Sequence, residues 1–374
     1  MRIRRTLTAL TLAAAVTVVT AGTMAPASAV QPDPVRRKLE TLLRSDHAPG
    51  AVASVRDAKG NLRTYTAGVG DLDTHAKMLR DGQVRIGSVT KTFTAVVVLQ
   101  LVGEGRIRLD APVETYLPGL VRGKGIDGNR ITVRQLLQHT SGLPDYEVDV
   151  TDDILQRRYV SPRDALDIAL RHETVFDPTE QGHWAYSSTN YLVAGMIVEK
   201  VTGRPVAEQI DQRILRQLGL RHTYFPAPGE TTIRERHSQG YSVESPGVPR
   251  DVTEIDPSAS WAGGAMVSTP ADLNRFFSTL LKEKDHVLLK EEQITQMRTT
   301  VPVQKGYAMG LGVMRVQLSD TCVAWGHSGA IPGYGTWSGA TDDGRSTSVT
   351  MNLEPKTGQA VEHLEDAMSA GLCH

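Results

Sequence analysis

The stretch Phe93-Thr94-Ala95-Val96-Val97-Val98-Leu99-Gln100-Leu101-Val102 constrains the fold more than any other. It is long enough for a helix and apolar all round, so it belongs in the middle of a large core. Directly ahead of it stands Ser88-Val89-Thr90-Lys91. Ser88 then occupies the helix start, and Lys91, three residues on, shares its face. An ammonium in an apolar wall is expensive and shifts toward the neutral amine. A hydroxyl beside such a base can lose its proton and become a nucleophile. Ser-x-x-Lys arises by chance roughly once in a chain of this length. The pair gains meaning from Tyr186-Ser187-Ser188 and His327-Ser328-Gly329, which follow in the order and spacing of a serine acyl-transfer site.

The N-terminus reads as an export signal. Arg2, Arg4 and Arg5 precede an apolar core from Leu7 to Val19, and Ala27-Ser28-Ala29 is a small-x-small cleavage site. Residues 1–29 are therefore expected to be removed and the mature protein secreted. No other run reaches eighteen apolar residues, so no membrane span is predicted. The chain has 41 basic and 42 acidic residues, a balance that argues against nucleic acid or an anionic membrane surface as partner. Cys322 and Cys373 are the two cysteines. In an exported chain they are expected to form a disulfide pinning the last helix to a strand, worth about 4 kcal/mol in the chain-entropy model.

The pattern along the chain predicts a helix at 34–45, then strands at 51–56 and 62–67 around the turn Asp57–Asn61. Helical patterns dominate from about 84 to 289, and Ser268-Thr269-Pro270-Ala271-Asp272 is a clear helix start. Strand patterns return at 310–316, 322–325, 335–340 and 346–352, before a final helix at 360–370. This predicts one domain over 30–374, with an α/β part from about 30–84 and 290–374 and a helical part from about 85–289. Two motifs are decoys. Gly123-Lys124-Gly125-Ile126-Asp127-Gly128 fits a dinucleotide loop in letters, but neither a strand precedes it nor a helix follows. Gly326-His327-Ser328-Gly329-Ala330 lacks the last glycine and the following helix of a nucleophile elbow. His139 reads as structural, and no His pair has metal-ligand spacing with an acid, so neither metal nor cofactor is expected.

Taken together, several segments resemble the serine penicillin-binding and class C β-lactamase superfamily, most closely the secreted actinomycete-type DD-carboxypeptidase/transpeptidases. They are Arg85–Lys91, Leu109–Val113, Ile131–Leu137, His139–Leu143, Tyr186–Asn190, Trp261–Ala265 and Gly326–Gly329. The resemblance implies a two-subdomain fold, an antiparallel sheet with flanking helices plus a helical insertion. It implies that Ser88 is acylated while Lys91 and Tyr186 share the proton work, the phenol being helped by cationic Lys91 and His327. It places the backbone N–H groups of Ser88 and Ala330 in the oxyanion hole, with Ser328 and Gly329 on the adjoining strand edge. His327 stands where most relatives carry Lys, and its charge is expected to change near neutral pH. Trp261 is either a pocket wall for the substrate side chain or a core indole. Expected partners are cell-wall stem peptides or other small acyl substrates, with β-lactams as inhibitors.

Two departures matter. Ser188 takes the place of the usual Asn, which binds the substrate backbone; Asn190 either compensates as the end of a Ser-x-Asn motif or lies one turn into the following helix. An Arg that clamps the substrate carboxylate in the family is replaced at Gly312, and Arg315 lies three residues on. D-alanyl-D-alanine carboxypeptidase is the activity expected first. An esterase or weak β-lactamase, or a non-catalytic penicillin or peptidoglycan sensor, stay open beside it.

Overall fold

A computed structural model describes residues 33–373 except 152–153, 155–157, 246 and 283–285. The export signal lies outside the described residues. Helix α1, Pro34–Ser45, is capped by the Asp33 carboxylate and buries Val35, Leu39 and Leu42. Strands β1 (Gly50–Arg56) and β2 (Leu62–Gly68) follow as a hairpin. A 3₁₀ turn at Gly87–Val89 leads into α2, Thr90–Gly103, then α3, Val133–Gln138, and α4, Thr189–Thr202. Helix α5, Pro270–Leu281, starts on the Thr269 cap as expected, with the hydroxyl accepting from Asp272 N. Strands β3 to β8 are Val301–Gln304, Tyr307–Met309, Met314–Ser319, Cys322–Ile331, Tyr334–Ala340 and Ser346–Met351, and α6 is Gly358–Leu372.

The eight strands form one antiparallel sheet in the order β2-β1-β8-β7-β6-β5-β4-β3. Both ends of the chain thus build it, with β1 beside β8. Helices α1 and α6 cover one face through Leu39, Leu42, Leu364 and Met368. The Cys322–Cys373 disulfide joins the start of β6 to the residue after α6. Helix α5 packs across β1, β7 and β8 on the other face. Its Phe276 and Phe277 are buried in the same core as α2.

Helix α2 is buried on nearly every side, as its composition requires. Phe93, Val96, Val97, Val98 and Leu99 have no exposed surface, and Phe93 stacks on Phe276 at 3.8 Å. Each such side chain contributes roughly 1.5–3 kcal/mol of apolar burial. Its threonines satisfy carbonyls of neighbouring elements, Thr92 Oγ1 donating to Gly312 O and Thr94 Oγ1 to Ala262 O. The catalytic candidates at its start are thereby fixed to a helix buried on nearly every side. The Gly123–Gly128 stretch forms a minimal hairpin, Arg122–Gly123 with Ile126–Asp127, and no nucleotide loop.

Candidate active site

Lys91 is fully buried, and its Nζ has three acceptors: Ser88 Oγ at 2.9 Å, Gly263 O at 2.9 Å and Ser188 Oγ at 3.2 Å. Burial drives its pKa down to about 8, opposed by the negative charges of Glu147 and Asp145. A neutral amine there still donates two N–H bonds, to Gly263 and Ser188, and directs its lone pair at the Ser88 hydroxyl. That is the geometry of a general base on a nucleophile. Ser188 thus serves the lysine. Asn190, in α4, turns away into the core, accepting from Ser141 Oγ at 2.5 Å and donating to His139 Nδ1 at 3.2 Å.

Tyr186 lies close enough to Ser88 for that hydroxyl to lower its pKa, and Lys91 Nζ lies 5.0 Å from its ring centre. Desolvation raises the phenol well above its ordinary value, and Ser88 only partly offsets this. Because 38% of the residue stays exposed, the rise is smaller than full burial would impose. The phenol therefore keeps its proton and suits a donor or relay better than a phenolate base. Below it His139 stacks at 4.4 Å and 22°, buried, in the left-handed cap position of α3. Its Nδ1 accepts from Ser187 N, which makes the ring a fixed platform for the phenol.

His327 is buried, 6.5 Å from the Tyr186 ring. Its Nδ1 lies 2.5 Å from Ser328 O and so carries the proton; Nε2 has no partner among the described residues. Burial, then the Lys91 charge, lowers its pKa to about 4. This corrects the expectation of a histidine titrating near neutrality and lending positive charge to the phenol. The imidazole is neutral, since a second cation beside buried Lys91 is unfavourable.

Strand β6 pairs with β5 only as far as Gly326, so His327–Ile331 have a ladder partner on one side alone. The Gly87–Val89 turn lies against the open side. A Cβ on Gly329 would come 2.1 Å from Ile86 O, and one on Gly87 2.7 Å from Ala330 O. These two glycines let the Ser88 and Ala330 backbones approach, a requirement for two converging N–H donors. Ser328 takes its place in β6 opposite Trp337.

Trp261 is placed elsewhere. Its indole packs on Gly195 within α4 and forms a wall of a separate cavity whose lining includes none of Ser88, Lys91, Tyr186 or His327. Arg315 is opposite Trp325 in the ladder and donates to Gln317 Oε1 at 3.1 Å. Gly312 lies before β5 at φ +76°, so strand alternation does not run from it to Arg315.

Asp145 and Glu147 were not singled out in the sequence. They follow the His139–Leu143 motif, and Tyr146 between them is buried with its hydroxyl on Ala259 O at 2.6 Å. Their charges act on Lys91 and Tyr186. Burial and the neighbouring Glu147 raise the Asp145 pKa. The signal was available: two acids flanking an aromatic directly after a Gly-Leu-Pro turn.

The beta-lactamase family model matches residues 35–370. The chain belongs to that family. Its fold and its Ser-x-x-Lys and Tyr pair make it a serine hydrolase of the β-lactamase and penicillin-binding type. A D-stereospecific amidohydrolase from Streptomyces sp. has a similar structure, with TM-score 0.80 and 38% identity over 88% of this chain and 96% of that one. D-amino acid amidase from Ochrobactrum anthropi SV3 superposes with TM-score 0.78 at 26% identity, over 90% and 97% of the two chains. Penicillin-binding protein 4 of Amycolatopsis lactamdurans is 29% identical over 80% of this chain and 77% of its own length.

Proposed function

We propose that this protein is a secreted amidohydrolase that acts through acyl-Ser88 on D-amino acid amides, esters or short peptides bearing a free α-ammonium. The observation carrying this reading is the charge around the nucleophile. The charges acting on Lys91 and Tyr186 are the carboxylates Asp145 and Glu147, and glycine occupies position 312 where a carboxylate clamp would need a guanidinium. An acidic rim favours an ammonium over a carboxylate. The D-configuration is drawn from the similar amidohydrolase and amidase.

In the proposed sequence, neutral Lys91 takes the Ser88 proton as Oγ attacks the carbonyl carbon. The oxyanion is held by the Ser88 and Ala330 N–H groups, and Tyr186 passes a proton to the departing amine. Water then attacks the acyl-serine and gives its proton back through the same pair. D-alanyl-D-alanine carboxypeptidase is the second reading, supported by the likeness to penicillin-binding protein 4.

The two are separated by substrate. Asp145→Asn and Glu147→Gln should each raise KM for D-phenylalanine amide about fivefold to tenfold, the worth of one such ion pair. KM for N-acetyl-D-phenylalanine methyl ester should not change. Release of D-alanine from an N-acylated D-Ala-D-Ala peptide at a higher kcat/KM than amide hydrolysis would instead select the carboxypeptidase. On the neutral ester, kcat/KM should climb about tenfold per pH unit below an inflection near pH 8, as Lys91 deprotonates. An inflection near 6.5 would restore His327 as a titrating group.

A further inference from the structure

A second concavity of about 490 Å³ opens at the far end of α4. Ser188 precedes the first residue of α4, while Glu199, on the cavity wall, lies eleven residues later. At 1.5 Å per residue this sets the Glu199 wall roughly 16 Å from the catalytic end, while Trp261 and Ala265 line the cavity on the catalytic side. Its walls are the rings of Tyr159, Phe225 and Trp261 with five prolines, a rigid apolar lining that holds its shape without a ligand. Two charged residues join that lining, Glu199 and Glu208, both acidic. Volume, aromatic walls and a charge of one sign together specify a guest: an apolar body carrying an ammonium.

The wall also reaches the catalytic base. Trp261 opens the Trp261–Gly264 turn, and Gly263 O in that turn is an acceptor of Lys91 Nζ at 2.9 Å. Trp261 holds φ +31°, a backbone conformation bulky residues rarely adopt and keep only where packing imposes it. Its packing is the Gly195 contact on one side and the cavity on the other. A guest pressing on the indole therefore acts on the carbonyl that positions the lysine amine.

We propose that this cavity is a second binding site, for an arylalkylamine or a similarly apolar amine, and that its occupancy changes the rate at Ser88 through the Trp261–Gly264 turn. The inference does not depend on the substrate proposed above. The probe is 4-phenylbutylamine, titrated against tryptophan fluorescence and against hydrolysis of an uncharged p-nitrophenyl ester. One saturable transition is expected, accompanied by a change of at least about twofold in kcat. Ala207→Trp, which fills the cavity from its rim, should abolish both responses. Glu199→Gln and Glu208→Gln should each weaken binding about fivefold. The Asp145→Asn/Glu147→Gln double variant should bind the amine as the parent does. Loss of binding in that double variant with retention in Ala207→Trp would put the amine in the catalytic cleft and overturn the proposal. Binding in the cavity with unaltered kcat would overturn the coupling. Circular dichroism of Ala207→Trp separates a filled cavity from a misfolded chain, and the two glutamine variants then decide the question alone.

Discussion

Lys91→Met is expected to lower kcat/KM for ester hydrolysis by about a thousandfold or more while leaving the protein no less stable at pH 7 than a surface variant would. The two halves of this expectation have one cause. Lys91 is fully buried and its pKa falls from 10.5 to about 8 in the folded protein. Folding thus disfavours the protonated amine, and the unfolded chain binds more protons between pH 8 and 10.5. Stability must rise with pH through that window, and below it the full penalty of about 3 kcal/mol is present. Methionine removes the penalty and fills the same volume. Against this stands the lost donor to Gly263 O and to the Ser188 and Ser88 hydroxyls, about 1–3 kcal/mol. The terms nearly cancel at pH 7. Denaturant midpoints at pH 7 and pH 10.5 give the check: the native protein should gain about 3 kcal/mol on the variant over that interval. Parallel pH profiles would mean that the lysine is not desolvated, and its role as a neutral base would fall with that.

The same burial explains what could be read from the letters and what could not. The apolar run at Phe93–Val102 required a central helix, and Ser88 and Lys91 at its mouth required each other, because an ammonium has no other reason to stand there. Strand and helix limits followed from period and caps, as at Thr269-Pro270. The β6 strand escaped in its second half, since His327-Ser328-Gly329 has no apolar alternation; its conformation is imposed by pairing with β7 and by the Gly87–Val89 turn. The placement of α5 on the sheet also depends on long-range packing that no local pattern encodes.

The state of His327 illustrates a different limit. Its residue type announces a group that titrates near neutrality, and its position in the motif led to the expectation of a cation. Both are overridden by an enclosing wall and by the Lys91 charge, quantities that exist only after folding. Asp145 and Glu147 are the converse case. Two acids in a loop look like solvated surface, and only folding brings their charges within range of Lys91 and Tyr186.

Gly312→Ala is expected to cost about 2–5 kcal/mol, an outsized effect for one methyl group. A Cβ at this position would sit 2.3 Å from the Ala95 Cβ, 3.0 Å from Tyr191 Oη and 3.4 Å from Lys91 O, at φ +76°. The left-handed backbone accounts for roughly 1–2 kcal/mol with any L side chain, and crowding against a packed helix for about 1–3 more. Neither neighbour can retreat. Ala95 belongs to α2, buried on nearly every side, and Tyr191 Oη is bound to Leu137 O at 3.0 Å. The measurement is a double-mutant cycle in denaturant with Ala95→Gly, which removes the nearest clashing atom. The pair should recover at least about 1 kcal/mol relative to the sum of the single changes; strictly additive losses would show that α2 yields and that the site is not closed. The consequence reaches specificity. An arginine at 312 would have to push its stem past Ala95 and leave a guanidinium against the Tyr191 hydroxyl, so a carboxylate clamp cannot be restored there by a single substitution. A substrate that needs such a clamp has no cation to meet at this position, while one with an ammonium has Asp145 and Glu147.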